Sequence, residues 1–182
     1  MDRVTKSYFE NLESNDKNVQ YEAYKNILAA TEEKVAWSYE VWDELKEGLT
    51  HPDHHKRSRS AQFLSNLAIS DPEKRMLKDF PSLWEVTKDQ KFVTARHSIQ
   101  SVWRVGLAGY EQKELVFTHL VDRFKNCVEE KNYTLIRYDI LQGLRNLYDE
   151  GKDEDIKQNA LALIETEEES KYQKKYLSLW RN

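Results

Sequence analysis

Large apolar residues recur along this chain at a spacing near forty. When the stretches around Leu28, Leu67, Trp103 and Leu144 are aligned, the steps between them are 39, 36 and 41 residues. Four positions earlier in each stretch stand Tyr24, Phe63, Ile99 and Ile140, again apolar or aromatic. Residues four apart share a helix face, so each pair predicts a helix with a buried stripe. A short acid or amide precedes every stretch, at Asp16, Asp53, Asp89 and Asn132, where it can accept the orphan amides of a first helical turn. Further amphipathic segments lie between them. One near residues 35–49 is striped by Val35, Tyr39, Trp42, Leu45 and Leu49, and another near 111–127 by Val116, Leu120 and Phe124. The repeating unit is therefore a pair of antiparallel helices. Five pairs account for the chain, with the first helix near residues 3–13 and the last near 169–181.

Proline and glycine punctuate this pattern. Asp71 and Pro72 open a helix in the order of a cap followed by a proline, and Pro81 interrupts it, so a bent or split helix is expected over 71–88. Gly109 and Gly151 stand where helices should end and can supply the left-handed residue of a C-terminal cap. Gly143 lies inside a helix and marks close packing.

Composition narrows the class. Five Gly and three Pro among 182 residues are too few for a turn-dense β-sandwich, and 39% hydrophobic with 12% aromatic residues argues against disorder. One all-α domain over residues 1–182 is expected. The single cysteine, Cys127, excludes an internal disulfide framework and reads as a helix residue in a reducing compartment. Acids and amides fill the amino-terminal MDRVTKSYFENLESNDKN where a signal peptide would be apolar, and no later run is long enough to span a membrane, so a cytoplasmic chain without membrane contact is expected. Net charge is −4, unevenly spread: −5 over residues 1–50, +4 over 51–104 and −3 over 105–182. The acidic total disfavours a dedicated nucleic-acid binder, while the basic centre leaves room for a local patch.

The stretch HPDHHKRSRSAQFLSNLAISDPE, with its Asp-capped helix, Arg in the first turns and small-plus-Leu packing, resembles a HEAT repeat. DQKFVTARHSIQSVWRVG and KNYTLIRYDILQGLRNL are similar to the second helices of further units. The period matches HEAT or armadillo repeats better than the 34 residues of tetratricopeptide repeats. The resemblance implies a right-handed α-α superhelix, a short solenoid of about five helix pairs whose second helices line a concave surface.

Candidate chemistry is sparse. His51, Asp53, His54 and His55 are metal-binding types within five positions, but their spacing matches no zinc pattern, and Asp53 is better read as a cap. Cations recur on the second helices: Lys56, Arg57 and Arg59, then Arg96 and Arg104, then Arg137 and Arg145, then Lys174 and Lys175. Arg96 and Arg137 occupy equivalent positions, as do Arg104 and Arg145 eight residues later. Such a row either pairs with acids of neighbouring units or forms a binding ladder suited to phosphate or an acidic segment. The candidate binding residues are Arg57, Arg96, Arg104, Arg137, Tyr138 and Arg145, with Tyr138 the exposed aromatic of the groove. Trp42 and Trp103 read as core, and Glu165, Glu167, Glu168 and Glu169 as a solvated helix junction. No glycine-rich phosphate loop, nucleophile elbow or Cys/His pair is found, so no catalytic residue, metal or cofactor is assigned. The leading expectation is a non-catalytic scaffold whose concave face holds a protein or peptide partner. An alternative follows from HEAT-like DNA glycosylases that excise alkylated purines, which would use Arg96, Arg104, Arg137, Trp103, Tyr138 and Asp139 in a basic groove. A third is self-association through the last helix, where Tyr172, Tyr176, Leu177, Leu179 and Trp180 cluster.

Overall fold

A computed structural model describes residues 1–181, and among them every regular element is helical. Ten α-helices follow in order: α1 (Arg3–Asn11), α2 (Lys17–Thr31), α3 (Ser38–Gly48), α4 (His54–Leu67), α5 (Arg75–Val86), α6 (Phe92–Val102), α7 (Tyr110–Asn126), α8 (Tyr133–Gly151), α9 (Glu154–Glu165) and α10 (Ser170–Ser178). Short 3-10 turns follow α4 at Ala68–Ser70 and α6 at Trp103–Leu107. The all-α class is as expected, and no helix is long and apolar enough to cross a membrane.

Several caps work as the residue types dictate. Asp2 accepts from the amides of Val4 and Thr5, Asp16 from those of Asn18 and Val19, and Asp53 from that of His55. Each occupies extended backbone and removes an unsatisfied first-turn donor.

The chain forms two compact units, residues 1–98 and 99–182. In the first, α2 packs against α1 and α4, while α3 packs against α4 and α5. Helix α4 is buried around most of its circumference, with Phe63, Leu64 and Leu67 fully enclosed. A helix so placed must satisfy its polar side chains internally, and it does. Ser65 Oγ donates to Ala61 O, Asn66 Nδ2 to Thr31 Oγ1 and Leu28 O, and Gln62 Nε2 to Ser58 O and Oγ. In the second unit α8 packs against α7, α9 and α10 around Phe124, Ile140, Leu144, Ile164 and Tyr176.

The structure corrects several local expectations. Pro81 does not split its helix. Helix α5 runs through it as one element, because Met76, Phe80, Leu83 and Trp84 form a buried stripe whose apolar contact outweighs one missing backbone donor. That helix opens at Arg75 rather than at Pro72, and the Asp71 carboxylate reaches forward to the amides of Arg75 and Met76. Trp103 is not at a helix centre, since α6 ends at Val102, and its side chain is only half-buried. Gly143 does not mark a forced close approach: a Cβ there would lie 3.5 Å from Trp103 Cβ, an ordinary contact.

No described glycine occupies the left-handed region, and Gly109, expected to end a helix, instead precedes α7 in extended backbone. The left-handed positions are Lys74 (55°), Asn132 (62°) and Lys152 (50°). Lys152 closes α8 one residue after Gly151, its amide bonded to Tyr148 O. A left-handed non-glycine residue costs about 1–2 kcal/mol. The exposed contact of Lys152 with Asp149 at 3.2 Å returns less than that. Lys152→Gly is therefore expected to stabilise the protein by about 1 kcal/mol, read as a higher urea midpoint. A lower midpoint would show that the ion pair outweighs the backbone strain.

Candidate functional site

The side chains singled out from the sequence are mostly committed to internal partners. Arg57, on the first turn of α4, grips Asp89 through Nε to Oδ2 at 2.5 Å and through a second nitrogen to Oδ1 at 3.0 Å. Its remaining nitrogen donates to the carbonyls of His51 and Pro52. Asp89 thereby does two jobs, because it also accepts from Lys91 N ahead of α6. Burial opposes ionisation of Asp89, and the Arg57 and Lys91 donors more than offset it, holding the carboxyl below its ordinary pKa.

Arg137 is buried on α8. It donates to Glu167 Oε2 at 2.8 Å and to Phe124 O at 3.2 Å, with its guanidinium 4.4 Å from the Phe124 ring centre. Glu167, in the α9–α10 connection, is 5% exposed, so the Glu165–Glu169 run is not uniformly solvated as expected. Its other oxygen accepts from Glu169 N. Arg145, two turns further along α8, turns to Asp149 at 2.8 Å and to Leu179 O at 3.0 Å, near the Trp180 ring. The two arginines of α8 thus serve different junctions. Arg104 lies 5.2 Å from the Trp103 ring centre, and Arg96 is half-buried on α6. Tyr138 is half-buried with Lys175 Nζ 4.9 Å over its ring.

The other candidates are placed as follows. His51 Nδ1 accepts from Asp53 N, while the His54 and His55 rings lie 4.0 Å apart. One ligand atom from each of Asp53, His54 and His55 falls within 4.8 Å of the others. Asp53 spends one oxygen on the α4 cap, so the cluster is explained by helix initiation. Cys127 is buried just past α7, where burial pushes its thiol pKa up against the lowering effect of Arg137. Tyr176 and Trp180 are buried within the second unit, and Tyr172, Leu177 and Leu179 are half-buried.

A concavity lies elsewhere in the first unit, on α2 and α4. It has a volume of about 530 Å³. Lys17, Gln20, Tyr21 and Tyr24 line one wall, and His55, Ser58, Arg59 and Gln62 the other, with Asp53, Lys56, Glu13, Leu12 and His97 at its margins. Both walls follow the same spacing of i, i+3, i+4 and i+7, which is one face of a helix. The floor is tied by Tyr24 O–H donating to Gln62 Oε1 at 2.6 Å and by Ser58 Oγ near His97 Nδ1 at 3.3 Å. The Tyr21 side chain projects, 58% exposed, with its ring 6.2 Å from that of Tyr24.

In the sequence Lys56 and Arg59 read as cations and Tyr24 as an apolar register residue, with nothing to join them. The two matching polar stripes were a usable signal. What was missing was that α2 and α4 pack side by side, which follows from Tyr24–Gln62 and Asn66–Thr31 contacts that no local spacing reveals. Comparison of the chain with protein-family models and with curated proteins found no match.

Proposed function

We propose that the chain is a HEAT-like binding module, a superhelix of helix pairs that holds a protein or peptide partner on the face of its second helices without catalysing a reaction. One observation carries this reading: α2 and α4, both second helices of successive pairs, present parallel side-chain stripes into one pocket with an exposed tyrosine and cations on its walls. Surfaces built from repeated helices recognise extended segments in this manner. Arg57, Arg137 and Arg145 are engaged by acids and carbonyls, which leaves fewer cations for the phosphates of a duplex and favours a peptide over nucleic acid.

The test is site-specific photocrosslinking from position 21 in cells, with position 110, another exposed tyrosine, more open to solvent and in the other unit, as reference. A discrete protein adduct formed from position 21, absent from position 110 and lost when Arg59→Glu is added, is the expected result. Identical adducts from both positions, or adducts indifferent to Arg59→Glu, would overturn the reading.

A further inference from the structure

We infer that the pocket between α2 and α4 binds a phosphate monoester carried on a planar ring, with Arg59 and Lys17 at the phosphate and Tyr21 and Tyr24 against the ring. The inference rests on the binding-module reading for its source, a phosphorylated aromatic side chain of the partner, and on the pocket alone for its chemistry.

Arg59 is the starting point. It is half-buried, and its one hydrogen bond runs from a terminal nitrogen to Leu12 O at 3.3 Å. Among the described residues no carboxylate lies within ion-pair distance of it. Arg57, Arg75, Arg123, Arg137 and Arg145 by contrast each hold an acid, at 2.5 to 2.9 Å. A half-buried guanidinium that faces a pocket with most of its donors free of protein partners is available to an anion that enters there. Its planar fork matches the oxygens of a phosphate.

The acids at the margin do not fill that role. Glu13 accepts from Lys56 Nζ at 2.8 Å. Asp53 spends Oδ1 on the cap of α4, although Arg59 is close enough to help hold its pKa below the ordinary value. Lys17, opposite on α2, is exposed and makes no ion pair among the described residues. Two uncommitted cations on facing helices therefore flank one space. That arrangement suits a dianion better than a single carboxylate.

The walls select the rest of the ligand. The Tyr21 and Tyr24 rings are tilted by 30° at a 6.2 Å separation, and Lys25 Nζ stands 5.1 Å from the Tyr21 ring centre. An aromatic body entering beside Tyr21 gains ring contact and removes apolar surface from water. The cavity of about 530 Å³ accommodates a ring and its phosphate together.

The experiment is an NMR titration of the full chain, following backbone amides, with phenyl phosphate, inorganic phosphate, adenosine monophosphate and a short phosphotyrosine peptide in separate arms. Phenyl phosphate is expected to shift amides of residues 17–24 and 55–62 saturably and to bind at least tenfold more tightly than inorganic phosphate. Arg59→Gln should weaken it at least tenfold, and Lys17→Gln, at an exposed position, should weaken it several-fold without altering the far-ultraviolet spectrum. Tighter binding of the phosphotyrosine peptide than of the nucleotide supports the peptide source, and the reverse order overturns it. Equal affinity for phenyl and inorganic phosphate, or an Arg59→Gln affinity equal to that of the unmodified chain, overturns the site. If the crosslink from position 21 persists in that case, the inference fails while the binding-module reading stands.

Discussion

Arg137→Met is expected to destabilise the protein by about 3–5 kcal/mol, the range for removing one partner of a buried ion pair. Glu167 is the reason. Its side chain is 3% exposed and that of Arg137 9%, so the carboxylate would stay enclosed with its principal charged donor gone. The substitution also removes the donor to Phe124 O and the cation stacked on the Phe124 ring and near that of Tyr133. Methionine fills comparable volume, so the loss reflects charge rather than a cavity. At about 2–4 °C per kcal/mol for a chain of this size, the thermal midpoint should fall by roughly 6–20 °C. Replacing both residues, Arg137→Met with Glu167→Met, should recover most of the loss, since an apolar pair of similar volume is often as stable as the buried ion pair it replaces. Circular dichroism melts of the single and double variants check this. A single variant within 1 kcal/mol of the parent would show that Glu167 is not dependent on Arg137.

Trp42→Ala is expected to cost a similar amount, about 3–5 kcal/mol. Trp42 is fully buried on α3, edge-on to Tyr39, and its indole N–H donates to Asp79 Oδ2 at 3.0 Å. Asp79 is held on its other oxygen by Lys46 at 2.6 Å. The loss is chiefly that of apolar area and the cavity left behind. Trp42→Phe separates the two contributions by keeping most of the ring while deleting the donor. Burial alone would raise the Asp79 pKa, yet the Lys46 and Trp42 donors together outweigh it and leave the group below its ordinary value of 3.8. A carboxyl with a depressed folded pKa stabilises the fold fully above its unfolded pKa, and that contribution is lost as pH falls through the folded value. The window therefore lies below pH 3.8. Trp42→Phe should lose less stability than the parent between pH 4 and the lower limit of folding, and guanidinium unfolding at several pH values measures it. Parallel pH profiles for the two proteins would mean that the indole donor does not influence Asp79.

The two variants divide cleanly between the units, and so do the arginines chosen from the repeat. The equivalence of Arg96 with Arg137 and of Arg104 with Arg145 is genuine as spacing. It does not carry equivalence of environment. Arg137 meets a carboxylate from the α9–α10 connection, Arg145 meets Asp149 and the end of α10, and Arg104 sits by Trp103 where α6 has given way to a 3-10 turn. Which acid faces an arginine depends on the neighbouring element, and periodicity along one helix says nothing about that.

What the sequence by itself determined is the all-helical class, the approximate position of most helices and the buried register of α4 and α8. Those follow from short-range causes: Asp2, Asp16 and Asp53 capping their own first turns, and Phe63, Ile99, Ile140 and Leu144 repeating on one face. The tertiary structure decided the rest. It kept α5 continuous through Pro81, because a buried stripe compensates a missing backbone bond. It placed left-handed backbone on lysines and an asparagine instead of on glycines, because packing of the flanking helices sets the turn. It enclosed Glu167 with Arg137, and it brought the stripe of Lys17, Gln20, Tyr21 and Tyr24 opposite that of His55, Ser58, Arg59 and Gln62. The last two outcomes depend on residues roughly thirty or more positions apart meeting across helices, and local propensity and periodicity act only over a few turns.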